Sequence, residues 1–437
     1  MFYKKTIFFL SIFIFLTIEI LPSSIFNSEI TNTDTSVVQR YGQLSVSGTK
    51  IIDQNGDPIA LRGMSLFWSQ WMGNFYNESC INWLKDDWKC TVVRAAMGVE
   101  SGGYLQYPQT EMNKIKTVIN ACINAGIYVI VDWHDHNAQT HQQQSIDFFK
   151  QIAQLYGNYP NIIYEIFNEP TQISWTNDVK PYALAVIDSI RKIDPDNIIL
   201  VGSPTWSQDV DTASRNPIDR TNIAYTLHFY AATHKQALRN KAITALNNGI
   251  ALFVSEWGTC EASGTGVLDY AEVETWMSFM ETRKISWCNW SLCDKDETSA
   301  ALKVGASVNG GWSESMLSAS GLLVRNKIIF YNDSTTTDVG YNYVPDKFLL
   351  YQNFPNPFNP STTIEYELPV NGNVKIEVYD LLGSKVKTLV NDFEYSGKHS
   401  IQWSGISEAG EKVSSGVYLY NLNFDNQTYY KKAIFIN

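Results

Sequence analysis

Eight short apolar, β-branched runs punctuate the chain: 59–66, 91–97, 128–134, 162–169, 197–203, 223–230, 251–257 and 285–292. None alternates cleanly between apolar and polar positions, the pattern of strands buried on both faces. They recur about every thirty residues, the repeat of a strand–helix unit. The intervening segments carry helical stripes. Ile115, Val118, Ile119, Cys122 and Ile123 fall on one helical face, with Gly126 placed to cap its C-terminus. Ile146, Phe149, Ala153 and Tyr156 form a second stripe before Gly157. Eight such units predict an α/β fold, a (β/α)8 TIM barrel spanning 38–330; a doubly wound sheet is the weaker alternative.

The pattern changes after Phe330. A polar stretch from Asn332 to Gly340 has no hydrophobic period, which predicts a linker over 331–345. Beyond it, runs at 362–368, 374–380, 400–403 and 416–422 are separated by Asn-Gly, Ser-Gly and Ala-Gly turn signals. They predict a small C-terminal antiparallel β-sandwich over 346–437. At the other end, Lys4 and Lys5 precede an apolar run from Ile7 to Ile18. That run is short for a bilayer span and reads as the core of a signal peptide over 1–27, so export is expected. No small-x-small cleavage site stands out between Leu21 and Ser28.

Composition narrows the partners. The net charge of −11 and the lack of basic runs argue against nucleic acid and fit a neutral polymer. Aromatic content is high, with 13 Trp and 24 Tyr, which either a large core or sugar stacking would use. Six cysteines are compatible with an oxidising compartment; Cys80 with Cys90 and Cys288 with Cys293 are closest in sequence, while Cys122, on the helical stripe, reads as a buried thiol.

A barrel of this kind carries its chemistry at the C-terminal ends of its strands. Polar residues interrupt the runs there: Arg94, Asp132-Trp133-His134, Asn168-Glu169-Pro170, His228-Phe229-Tyr230, Glu256-Trp257-Gly258 and Asn289-Trp290. A buried structural ion pair would explain one or two of these, but six strands converging on one rim point to a site. Glu169 and Glu256, on the fourth and seventh runs, face one another across the barrel. Such a pair suits glycosidic bond hydrolysis, in which a carboxylic acid protonates the leaving oxygen and a carboxylate attacks the anomeric carbon. The charge on one carboxylate is expected to raise the pKa of the other and keep the acid protonated.

From about Leu44 to Gly321 these residues resemble glycoside hydrolase family 5, especially its bacterial endoglucanases. The resemblance rests on Leu61-Arg62-Gly63, Val93-Arg94-Ala95-Ala96-Met97, Val131-Asp132-Trp133-His134, Ile166-Phe167-Asn168-Glu169-Pro170, Thr205-Trp206-Ser207-Gln208-Asp209, Leu227-His228-Phe229-Tyr230, Ser255-Glu256-Trp257-Gly258 and Asn289-Trp290-Ser291, in that order. It implies a secreted, monomeric, retaining endo-β-1,4-glucanase acting on a β-glucan, with a mannanase or xyloglucanase as runner-up and no metal or organic cofactor. A silent glycan-binding protein is the non-enzymatic alternative, which the intact carboxylate pair argues against. By resemblance Glu169 is the acid/base and Glu256 the nucleophile, surrounded by Arg94, His134, Asn168, His228 and Tyr230. Asn168 would meet the sugar 2-hydroxyl and Tyr230 would orient the nucleophile. Trp290 would form the platform under the sugar at the scissile bond, and Trp206, Lys295 and Glu297 would contact neighbouring sugars.

Two departures concern the cleft. Relatives often carry a His shortly after the first strand, where this chain has Leu66-Phe67-Trp68, and a Tyr where it has Gly98. Trp68 or Trp71 is expected to stack on a sugar there instead. His134-Asp135-His136 with His141 has metal-ligand spacing, but no further His or Lys set completes a shell, and a solvent-facing or hydrogen-bonded role for His136 and His141 is preferred. His234 and His399 carry no signal. The C-terminal module is similar to the type A sorting domain of type IX secretion, through Tyr351-Gln352-Asn353-Phe354-Pro355-Asn356-Pro357-Phe358-Asn359-Pro360, Val378-Tyr379-Asp380-Leu381-Leu382-Gly383 and Ser415-Gly416-Val417-Tyr418. It implies the secretion machinery as a partner and a secreted or cell-surface location. A carbohydrate-binding sandwich would need an exposed aromatic strip, and Trp403 is the module's lone Trp.

Overall fold

A computed structural model describes Met1, residues 35–333, 348–368, 372–394, 397–424 and 427–436. The expected signal peptide and nearly all of the expected linker lie outside the described residues.

A short hairpin, β1 (Ser45–Ser47) and β2 (Lys50–Ile52), precedes eight strands: β3 (Arg62–Leu66), β4 (Val92–Gly98), β5 (Tyr128–His134), β6 (Ile162–Glu165), β7 (Ile199–Val201), β8 (Ile223–Tyr230), β9 (Leu252–Gly258) and β10 (Ser286–Leu292). All neighbours pair in parallel, and β10 pairs with β3 to close the barrel. Each predicted run contributes one strand. Because both faces of each strand are covered, burial is nearly continuous along them, which is why the runs read as uninterrupted apolar segments. The hairpin residues Leu44 and Ile51 pack with Val92, Ile130, Leu200 and Phe253 into a cluster that plugs the barrel's lower end.

Three strands, β3, β6 and β7, are at least three residues shorter than the runs predict, and β6 matters most for the site. After Ile166, whose N–H still donates to Leu200 O at 3.1 Å, the chain leaves the β7 ladder: Asn168 N–H donates to Trp133 O and Glu169 N–H to Asp135 O, each at 3.3 Å. The peptide thus hugs β5 while the Asn168 and Glu169 side chains are freed from strand alternation.

The first helical stripe lies on a helix over Pro108–Ala125, with Ile115, Val118, Ile119 and Cys122 fully buried. Gly126 closes it in the left-handed region (φ 69°), where a side chain would be strained and a Cβ would sit 2.3 Å from Ser36 Cβ. The second stripe lies on the helix Gln142–Tyr156.

The C-terminal module has two antiparallel sheets. One is ordered β11 (Leu349–Leu350), β12 (Thr362–Leu368), β15 (Gly397–Trp403); the other β14 (Lys385–Glu394), β13 (Gly372–Tyr379), β16 (Gly416–Phe424), β17 (Gln427–Phe435). Ile364, Tyr366, Ile376, Tyr420 and Trp403 meet in its core. Trp403 is 1% exposed, so it offers no platform for a sugar. All six cysteines are buried free thiols, including Cys122. No helix among the described residues is long and apolar enough to cross a membrane.

Candidate active site

The barrel floor under the rim is organised by one buried cation. Arg94, on β4, is fully buried and reaches three carboxylates: Glu165 Oε2 at 2.7 Å, Asp132 Oδ2 at 2.9 Å and Glu256 Oε2 at 3.0 Å. Its Nη2 also donates to Asn168 Oδ1 at 2.6 Å. Parallel register places Asp132 beside Glu165 and His228 beside Glu256, so these groups share one layer of the barrel interior. Surrounded by acids, the Arg94 guanidinium is held well above its ordinary pKa despite burial.

Of the two predicted carboxylates, Glu256 belongs to this layer and Glu169 meets it from the segment after β6. Glu256 Oε1 accepts from Tyr230 Oη at 2.8 Å while Oε2 faces Arg94. Glu169 is flanked by two imidazoles, His228 Nδ1 at 2.9 Å from Oε1 and His136 Nε2 at 3.1 Å from Oε2. An oxygen of Glu169, an oxygen of Glu256 and a ring nitrogen of His228 all lie within 4.8 Å of one another. Asn168 Nδ2, by contrast, is buried with no partner among the described residues. A buried amide is costly to leave unsatisfied, so this donor calls for a partner that the described residues do not supply.

The electrostatics correct one expectation. Burial alone would raise Glu169, but hydrogen bonds from His136 and His228 and their charges outweigh it and hold the carboxyl below its usual range. Glu256 is the raised partner, through burial and the charge on Glu169, opposed by His228, Arg94 and Tyr230. Two carboxylates considered alone predict the reverse, because the imidazoles that favour the Glu169 anion come from β8 and the loop after β5. His228 is pushed up to about 9, its burial overcome by Glu165 and Glu169.

The predicted aromatic residues differ in exposure. Trp290, on β10, is buried and lies parallel to the His134 ring (5.2 Å, 2°), whose Nδ1 is fixed by Asp132 at 2.6 Å. Trp68 meets the same His134 edge-on at 4.0 Å and contacts Trp71, which is 56% exposed. Trp206 is 39% exposed. Lys295 and Glu297 pair at 2.5 Å, with the Lys295 ammonium 5.2 Å from the Phe67 ring centre. Gly98 has no room for a side chain as packed: a Cβ would fall 1.7 Å from Gln70 Oε1, and its N–H donates to Ser69 Oγ at 3.0 Å. Gln70 therefore fills the space that a larger residue at 98 would claim.

A cavity of about 450 Å³ is lined by Glu169, Trp206, Gln208, His228, Tyr230, His234, Glu256 and Ala262. His234 carried no sequence signal, yet its Nδ1 accepts the Tyr230 N–H at 2.8 Å, which leaves Nε2 as a donor in the cavity wall. Glu165 and Ser255 were also missed. The three histidines with metal-ligand spacing diverge: His134 turns to Asp132, His136 to Glu169 and His141 to Asp135 at 2.8 Å.

Comparison with known proteins fits this geometry. Residues 52–296 match the model of the cellulase family, glycosyl hydrolase family 5. This chain belongs to glycosyl hydrolase family 5. It is 46% identical to an endoglucanase of Clostridium saccharobutylicum over 77% of this chain and 75% of that one. It is 54% identical to endoglucanase Z of Dickeya dadantii, over 58% of this chain and 60% of that one. In structure, the family 5 barrel is similar to the catalytic domain of Thermobifida fusca endoglucanase Cel5A, solved with cellotetraose (34% identity, TM-score 0.65, 67% of this chain and 99% of that one). Residues 352–437 match the secretion system C-terminal sorting domain. The glycosyl hydrolase barrel thus carries the whole candidate site, and the sandwich is its sorting module.

Proposed function

We propose that this chain is an exported endo-β-1,4-glucanase that cleaves cellulose or a related glucan with retention of configuration. The observation that carries this reading is the carboxylate spacing. Oxygens of Glu169 and Glu256 lie within 4.8 Å of one another. Retaining enzymes hold their carboxyl groups ~5–5.5 Å apart, whereas inverting enzymes need roughly 6.5–9.5 Å to admit a water.

The surroundings divide the labour. Glu256, held by Tyr230 and Arg94, is the nucleophile: its oxygen forms a bond to the anomeric carbon as the glycosidic bond breaks. Glu169, with a ring nitrogen at each oxygen, is the acid/base; because its own carboxyl is held low, the proton it passes to the leaving oxygen is the one it shares with His228 Nδ1, and it then takes one from the water that frees the sugar. Esterification of Glu256 removes the charge that the second carboxylate feels, which suits the change of role. Asn168 Nδ2 would find its partner in the sugar 2-hydroxyl, and Trp290 would lie under the ring. Side chains and one water supply every proton and bond in this scheme, which calls on neither metal nor cofactor. Trp68, Trp71, Trp206, Lys295 and Glu297 would bind flanking sugars.

We assign the barrel to 38–330, a linker to 331–345 and the sorting module to 346–437, with a monomer leaving the cell through the secretion machinery that reads that module. The cellotetraose bound in the Thermobifida structure supports a glucan substrate. Turnover of carboxymethyl cellulose, against mannan and xyloglucan, tests the substrate. Activity surviving in both Glu169→Gln and Glu256→Gln would sink the site assignment.

A further inference from the structure

Glu169 is unusual in having both carboxyl oxygens met by imidazole. The two rings are not equivalent. His228 is buried and its Nε2 is committed to Ser255 Oγ at 3.0 Å. His136 sits on the loop after β5, its side chain 38% exposed, and its only polar contact among those described is Glu169 Oε2 at 3.1 Å. The ring is backed by the edge of Trp68 (5.6 Å, 75°), itself packed edge-on against His134. Trp290, His134, Trp68 and His136 thus form a continuous row from the cleft floor to the second oxygen of Glu169.

We propose that His136 is a positioning residue for the acid step: it holds Glu169 Oε2 from the open side of the cleft and sets the alkaline limit of activity. The proposal rests on Glu169 being the acid/base. An N–H donor beside a carboxylate stabilises the anion and orients it, and a positive ring does so more strongly. The charged groups around His136 reinforce this. Glu169 faces it directly, Glu256 and Asp135 add negative potential, and the Asp135 carboxylate itself turns away to His141. His134, at the end of β5, has its Nδ1 held by Asp132, and Trp68, after β3, carries no charge. His228, from β8, holds the other Glu169 oxygen. Consistent with the geometry, the hydrogen bond to Glu169 raises His136 above its ordinary value against its burial. Without His136 the proton that Glu169 shares with His228 is held to higher pH.

The test is the pH dependence of kcat/KM for the full chain, on cello-oligosaccharides that need the acid and on an aryl cellobioside with a good leaving group that does not. His136→Ala should move the alkaline limb up by roughly 0.5–1 unit on the oligosaccharides and lower kcat there more than on the aryl substrate. His136→Gln, which restores an uncharged N–H donor, should recover much of the lost kcat while the limb stays displaced. An unmoved or lowered limb in both variants, or equal losses on both substrates, would overturn the proposal. The Glu169→Gln variant separates the two layers. If it retains the wild-type limb, the acid/base assignment fails; if it abolishes the limb while both His136 variants leave it in place, only the role of His136 fails.

Discussion

Ser255 Oγ donates a 2.6 Å hydrogen bond to Glu165 Oε1, and that bond decides which nitrogen of His228 carries a fixed proton. Glu165 is held ionised by Arg94, so it accepts the hydroxyl proton. The serine oxygen must then accept from His228 Nε2 at 3.0 Å, which leaves Nδ1 to share a proton with Glu169. Ser255→Ala should fold normally and lose about tenfold in kcat, near 1.4 kcal/mol of barrier, because the ring loses its orientation rather than its charge. Steady-state kinetics with KM unchanged would meet this expectation; a wild-type kcat would contradict it.

Arg94 serves both stability and chemistry. Replacing it by Met leaves Asp132, Glu165 and Glu256 buried together without their common cation. A loss of about 3–5 kcal/mol is expected from urea unfolding, with activity lost in whatever remains folded. A loss under about 1 kcal/mol would mean that the acids repartition their protons at little cost.

His228 gives stability a pH signature. Its folded pKa, pushed up to about 9, exceeds the unfolded value of about 6.5. Its contribution is therefore complete below about pH 6.5 and is lost as pH rises through about 9. Glu169 and Glu165, both held low, act in the opposite sense: they stabilise above about pH 4.3, and this fades as pH falls. Unfolding free energies measured from pH 6 to 9 should decline in the wild type and decline less in His228→Asn. Equal slopes would contradict the linkage.

Much of the barrel was legible because parallel strands buried on both faces leave recognisable apolar runs, and Glu169 and Glu256 interrupt those runs at the strand ends. Glu165 lies inside a run and reads as an ordinary strand residue; its importance comes from Arg94, which is 71 positions away. Ser255 and His234 are hidden likewise, since their roles lie in contacts with His228 and Tyr230. The direction of the Glu169 shift was missed for the same physical reason. Sequence lists the acids but not which imidazoles turn towards them.

The six cysteines yield a simple chemical expectation. Burial pushes Cys80, Cys122 and Cys288 well up, and Cys260 and Cys293 to about 11, so none offers a thiolate at neutral pH. A thiol reagent should titrate none in the native protein and six after denaturation without reductant. Fewer than six would reveal a disulfide.

The central claim, a close carboxylate pair working by double displacement, is tested most directly by the anomeric configuration of the first product. Proton NMR of early cello-oligosaccharide hydrolysis should show the β-anomer appearing first and mutarotating to the equilibrium mixture. Initial release of the α-anomer would contradict it.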